Sequence, residues 1–261
     1  MIEIRFKGIK WYLYNKVLLP DVAPHEKVNL SNNEAQELIR KTKAYFVRWP
    51  EDFDSRVNYP FWYVIKNEKE DTDLISYSSK IRSEIRRGLK NNKVDLIEML
   101  DMRIVETLYE IYINAFRRYK SVYIKPATFE DFKKGMESYN GDIWIVTNKQ
   151  VAFALTKRSY SKEGLVVNYN VIKLHPDYLR HYPSYALIFE MNRYYLNEKN
   201  VLYVHDGARS LGHETNIHDW FIKKFKFRKA CTKLHVEYRT DVSYMVKILH
   251  PLWNFFYKLE S

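Results

Sequence analysis

The chain has a single cysteine, Cys231, in 261 residues, so it can form no internal disulfide and no thiolate-rich metal site. That scarcity fits a reducing compartment, and a cytoplasmic location is expected. No apolar run reaches the length that spans a bilayer. Arg5, Lys7 and Lys10 interrupt the apolar residues near the N-terminus, which leaves no signal-peptide core there. There is also no period-level repeat, no low-complexity tract and no Gly/Ser-rich linker, hence no sign of tandem units or a flexible tether.

Apolar residues make up 46% of the chain and aromatics 16%, with 22 tyrosines and 14 phenylalanines, enough for a sizeable core. Disorder is excluded on the same grounds. The formal net charge of +11 points to an anionic partner: a nucleotide cofactor, an RNA or an acidic membrane surface.

Periodicity predicts short strands in residues 1–20 and a helix capped by Ser31 or Asn32 and carrying Ala35, Leu38 and Ile39. Strands are expected at Tyr45 to Trp49, Phe61 to Ile65 and Val94 to Ile97. Residues 79–91 read as a basic helix with Ile81, Ile85 and Leu89 at four-residue spacing, and residues 103–119 as an amphipathic helix ending near Tyr119. Thr128 and Asp131 form a helix-start pair. Ile143 to Thr147 and Val151 to Lys157 read as a hairpin about Asn148-Lys149. Then come a long strand (Leu165 to Leu174), a helix (Ser184 to Asn197), a strand (Val201 to Val204), a helix (Ile217 to Lys224) and a strand (His235 to Tyr238). A tail helix from Ser243 to Leu259 is expected to be interrupted by Pro251. The resulting order predicts an α/β fold with a mixed sheet and helices on both faces.

Chemistry concentrates after Val204. His205, Asp206, Arg209, His213 and Glu214 crowd between a strand end and a helix start, where open α/β sheets place ligands. Asp206 and Glu214 are the candidate bases, His205 and His213 the alternatives, and Arg209 an anion anchor. Asp206 paired with Arg209 as a loop brace is an equal reading. On the long strand, alternation puts Asn168 and Asn170 on one face and Tyr169 on the other; all three are substrate-binding candidates. His213 and His218 lack the spacing of a zinc motif, so no metal is expected. Residues 80–93 carry Lys80, Arg82, Arg86, Arg87, Lys90 and Lys93 against Glu84, a stripe able to track phosphates. Trp253, Phe255 and Phe256, with Lys247 and Lys258, are candidates for peripheral membrane contact.

Several of these segments resemble the GNAT superfamily of acyltransferases, most closely its Fem-like branch, over roughly residues 75–240. They are the basic run Ser79 to Lys90 followed by Val94, the turn Tyr182-Pro183-Ser184-Tyr185-Ala186-Leu187, and Asp206-Gly207 followed by Phe221 to Phe227. The resemblance implies a mostly antiparallel central sheet flanked by helices in residues 76–261, with a strand-rich extension in residues 1–75 packed on it. It implies N-acyl transfer of an acetyl or aminoacyl group to an amine on a sugar, peptide or cell-envelope precursor. The donor would be an acyl-CoA, acetyl-CoA first, or an aminoacyl-tRNA. Val171, Ile172, Arg180, Ser184, Tyr185 and Ala186 would then contact the cofactor. A non-catalytic binding module and an RNA-binding protein using helix 80–93 are the other readings, and both monomer and homodimer stay open. Where acyl-CoA enzymes of this superfamily have a glycine-rich turn, this chain has Arg180-His181-Tyr182-Pro183-Ser184-Tyr185. Pro183 has no N–H to offer, so weak pyrophosphate binding is expected, with Ser184, Tyr185 and Ala186 as the remaining backbone donors.

Overall fold

The computed structural model describes residues 3–117, 125–209 and 216–257, the stretch from residue 249 on by its backbone alone. The elements in chain order are β1 (Glu3–Phe6), β2 (Ile9–Tyr14), β3 (Val17–Pro20), α1 (Asn32–Thr42), β4 (Phe46–Glu51), β5 (Phe61–Lys66), α2 (Ser79–Asn91), β6 (Val94–Leu96), α3 (Met102–Phe116), α4 (Phe129–Glu137), β7 (Asp142–Val146), β8 (Ala152–Tyr160), β9 (Leu165–Leu174), α5 (Pro183–Asn192), β10 (Tyr203–Ala208), α6 (Ile217–Phe225), β11 (Arg228–Tyr238) and α7 (Thr240–Tyr257). They fall into two units, one of Met1–Trp62 with Ala230–Ser261 and one of Tyr63–Lys229.

In the first unit the strand order is β1-β2-β3-β4-β11, antiparallel except for the β3–β4 pair. Ser31 starts α1 with a reciprocal capping box: its hydroxyl accepts from the Glu34 N–H while Glu34 accepts from the Ser31 N–H. The buried face of α1, Ala35, Leu38 and Ile39, packs with Trp11, Leu18, Val47 and Trp49 of the sheet. The backbone of α7 runs through Pro251 without a break, where the sequence predicts an interruption. The side chains of Trp253, Phe255 and Phe256 lie outside the described residues.

The second unit carries the order β5-β10-β9-β8-β7-β6, antiparallel except for β10–β9. One sheet face, with Ile143, Ile145, Phe153 and Leu155, packs on Val105, Leu108 and Ile111 of α3 and Met136 of α4. Asp101 and Thr128 cap these two helices; Tyr119, expected at the end of α3, lies outside the described residues. The other face is covered by α5, whose residues are buried nearly all round, as suits a central helix.

Two expectations change in this unit. The helix predicted over Ser184 to Asn197 turns into a π-helical stretch at Arg193–Glu198. The wider turn lets the Tyr195 hydroxyl donate to Asp142 Oδ2 at 2.7 Å while it accepts from Trp144 Nε1 at 2.8 Å and meets Thr156 Oγ1 at 2.7 Å. The strand predicted at Val201 to Val204 is instead Tyr203–Ala208. Val201 and Leu202 donate to Tyr195 O and Leu165 O, and the strand gains its second half by pairing Ala208 with Tyr63 of β5, a partner that local patterning does not reveal.

Candidate functional site

The second unit opens where β9 and β10 part. Their parallel pairing covers Tyr203↔Val166, Val204↔Val167 and His205↔Asn168, and goes no further. Beyond it β9 continues to Leu174 and β10 to Ala208. Two irregularities sit at the parting. In β9, Asn170 is an extra residue between the pairs Thr156↔Tyr169 and Leu155↔Val171. In β10, the register shifts between His205 and Ala208, with Gly207 at φ 73. Bulges of this kind turn side chains out of the regular alternation.

His205 and Asp206 therefore lie on a strand at the parting, not in the loop expected for them. Burial drives the His205 imidazole down to about 3, so it is neutral across the physiological range. Its Nδ1 accepts from the Gly207 N–H at 3.2 Å. The neutral ring then carries its proton on Nε2, as a donor. Burial acts the other way on Asp206 and pushes its carboxyl up to about 8. Beside it lies His218 of α6, whose Nε2 is 3.0 Å from the Asp206 carbonyl oxygen and 3.5 Å from Oδ2. Burial also lowers the His218 imidazole. At neutral pH this contact thus joins two largely uncharged groups rather than an ion pair. The sequence weighs His218 only against a zinc motif; the fold is what brings it to Asp206.

The other expected residues are distributed around the parting. Asn168 is half-buried on β9, paired with His205. Tyr169 is buried and donates to Asn192 Oδ1 at 2.8 Å, so its hydroxyl is held by α5. Asn170 is exposed. Val171 and Ile172 are half-buried on the free stretch of β9, and Arg209 is exposed just past β10. His213 and Glu214 lie outside the described residues.

The turn into α5 does not offer the expected backbone cradle. Tyr182 takes a left-handed conformation (φ 57), and its carbonyl accepts from both the Tyr185 and the Ala186 N–H. Pro183 has none to give, which leaves Ser184. Helix α2 also lies against this end: a Cβ built on Gly88 would come within 2.8 Å of Tyr182 O and 3.0 Å of Ala186 N. These residues do not fit a pyrophosphate held by the helix end. Tyr185 is buried, with the Trp220 ring 5.5 Å away, and the nearby Glu84, which pairs with Lys224 at 3.2 Å, raises its hydroxyl further after burial. Among the described residues there is no cluster of His, Cys, Asp and Glu able to hold a metal ion, and no helix long and apolar enough to cross a membrane.

No family model matches the sequence, and no curated protein is significantly similar to it. Solved structures are similar in shape. The C-terminal domain of a lysylphosphatidylglycerol synthetase, so named, from Agrobacterium fabrum aligns with TM-score 0.56 at 12% identity, covering 92% of this chain and 83% of its own. FemX aligns with TM-score 0.55 at 11% identity, over 91% and 85%. L-PGS from Bacillus licheniformis aligns with TM-score 0.51 at 14% identity, over 88% and 80%. The chain has the GNAT fold, as its sequence resemblance implies.

Proposed function

We propose that this chain transfers an acyl group, acetyl or aminoacyl, from an activated carrier to an amine on a sugar, peptide or cell-envelope precursor. The observation that carries this reading is the parting of β9 and β10 with the buried Asp206 carboxyl and its neighbour His218 on one side. Backbone groups of β9 beyond Asn168 have no β10 partner there, so an acyl donor with amide groups can pair along that edge. The names of the similar structures, FemX and lysylphosphatidylglycerol synthetase, agree with acyl and aminoacyl transfer, and favour neither donor.

The chemistry needs an amine freed of its proton and donors for the tetrahedral oxyanion. Asp206, once ionised, accepts the proton of the attacking ammonium. The His205 Nε2–H is a candidate oxyanion donor, and His218 positions Asp206. Asn168, Asn170 and Arg209 line the acceptor side. The donor's leaving group departs with the proton that Asp206 or solvent returns. A cytoplasmic site of action fits the single unpaired cysteine.

The test is a mass-spectrometric transfer assay with acetyl-CoA or an aminoacyl-tRNA as donor and a panel of amines. Activity should rise with pH toward about 8 as Asp206 ionises. Asp206→Asn should lower turnover at least tenfold, near 1.4 kcal/mol of transition-state stabilisation, with the fold retained by circular dichroism. Transfer by Asp206→Asn at the wild-type rate removes Asp206 from the mechanism. Absence of transfer from either donor supports a binding module instead.

A further inference from the structure

We infer that phosphate recognition in this chain lies not at the end of α5 but on a side-chain surface formed by Lys149, Arg180 and His181, flanked by Lys93. Its ligand carries closely spaced phosphates, from a nucleotide cofactor or an RNA backbone. This deepens the transfer reading by naming what the donor carries.

Three segments meet at this surface, and two asparagines hold them together. Asn92, at the end of α2, is buried; its Nδ2 donates to Gly88 O at 2.8 Å and to His181 O at 2.7 Å. Asn148, in the β7–β8 turn, accepts from the Lys93 N–H at 3.0 Å and donates to Asn91 O at 2.9 Å. The Lys149 turn, the Arg180-His181 turn and the end of α2 are thus fixed against one another by backbone-directed bonds. These bonds do not depend on the cations they bring together.

Lys149 and Arg180 both lie close enough to His181 to act on its imidazole. After partial burial, Lys149 and Arg180 are the causes that hold the His181 imidazole below its ordinary value. Lys149 and Arg180 are exposed and have no carboxylate partner among the described residues. Asp177 is engaged by Arg117 at 3.0 Å, and Asp95 pairs with the flanking Lys93 at 3.1 Å, so the unpaired charge is that of Lys149 and Arg180. Folding that concentrates unpaired positive charge costs stability, which an anion bound there recovers. Meanwhile the neighbouring helix end, the usual alternative for such an anion, is closed by Tyr182 and Gly88.

Calorimetric titration of the full chain with tripolyphosphate at low ionic strength tests this. Binding should weaken at least tenfold in Lys149→Ala/Arg180→Ala and stay within twofold in Lys133→Ala, a cation on α4. Lys149→Arg/Arg180→Lys should keep most of the affinity. Coenzyme A and a short RNA hairpin identify the source. A nucleotide site binds coenzyme A more tightly than tripolyphosphate, and an RNA site binds the hairpin with a steep salt dependence. Failure of all three probes to bind, or binding that survives the double alanine variant, overturns the site. These are binding measurements, so they stand apart from the transfer assay on Asp206.

Discussion

Gly88 shows how much one residue decides here. Its missing side chain lets α2 come close enough to α5 to close the helix end at Tyr182. Alanine favours a helix interior over glycine by about 1 kcal/mol, so an isolated helix would gain from the change. Here the new Cβ would meet backbone atoms at 2.8 and 3.0 Å, and one helix must move. Gly88→Ala is therefore expected to lose about 1–3 kcal/mol by urea denaturation, as overpacking does. A neutral or stabilising result would mean that α2 is not held against Tyr182. The sequence marks Ile81, Ile85 and the charges of this helix through their spacing, but nothing in it marks Gly88. Close approach is a relation between two helices and leaves no local pattern. The same holds for His218, which only the fold brings to Asp206.

At the scale of elements, segments with strong periodicity were legible. The spacing of Ile81 and Ile85 and the Thr128–Asp131 pair set α2 and α4 where the structure has them. Two misreadings are of length, β11 starting at Arg228 rather than His235 and α7 running on through Pro251. Two others fall where a distant strand or a widened turn intervenes: β10 runs on to Ala208 because β5 pairs with it, and α5 changes pitch at Arg193. That change of pitch has a purpose that can be measured. Tyr195→Phe removes only an oxygen, yet it deprives Asp142, Trp144 Nε1 and Thr156 of a shared partner in a buried place. The expected loss is about 1–3 kcal/mol, the cost of leaving a buried polar group unsatisfied, read as a lower urea midpoint with an unchanged slope. An unchanged midpoint would show that the network does not hold the π-helical turn.

For the whole molecule, four buried ionisable groups shape stability against pH. His205, held near 3, and His218, shifted the same way, leave the unfolded chain binding more protons below about 6.5, so they make stability fall as the medium is acidified. Asp206, raised to about 8, does the opposite: the folded chain keeps a proton that the unfolded chain releases near 4, so stability falls as pH rises from 4 to 8. Lys66 is fully buried on β5, its Nζ without a hydrogen-bond partner among the described residues, and burial lowers it to about 8. Its penalty is complete below 8 and lifts between 8 and 10.5. The histidine and aspartate terms oppose each other from 4 to 6.5, which leaves a decline from 6.5 to 8 that belongs to Asp206. Urea midpoints across that window should fall in the wild type and stay level in Asp206→Asn; an equal decline in both would assign it to another group. The parting of β9 and β10 has a consequence of a different kind. What a strand edge offers a visitor is main chain, and main chain is the same whatever the side chains are. Such recognition is silent in the alphabet of residues. Nearly every letter around the gap could be rewritten and the same row of backbone groups would still stand along that edge of β9.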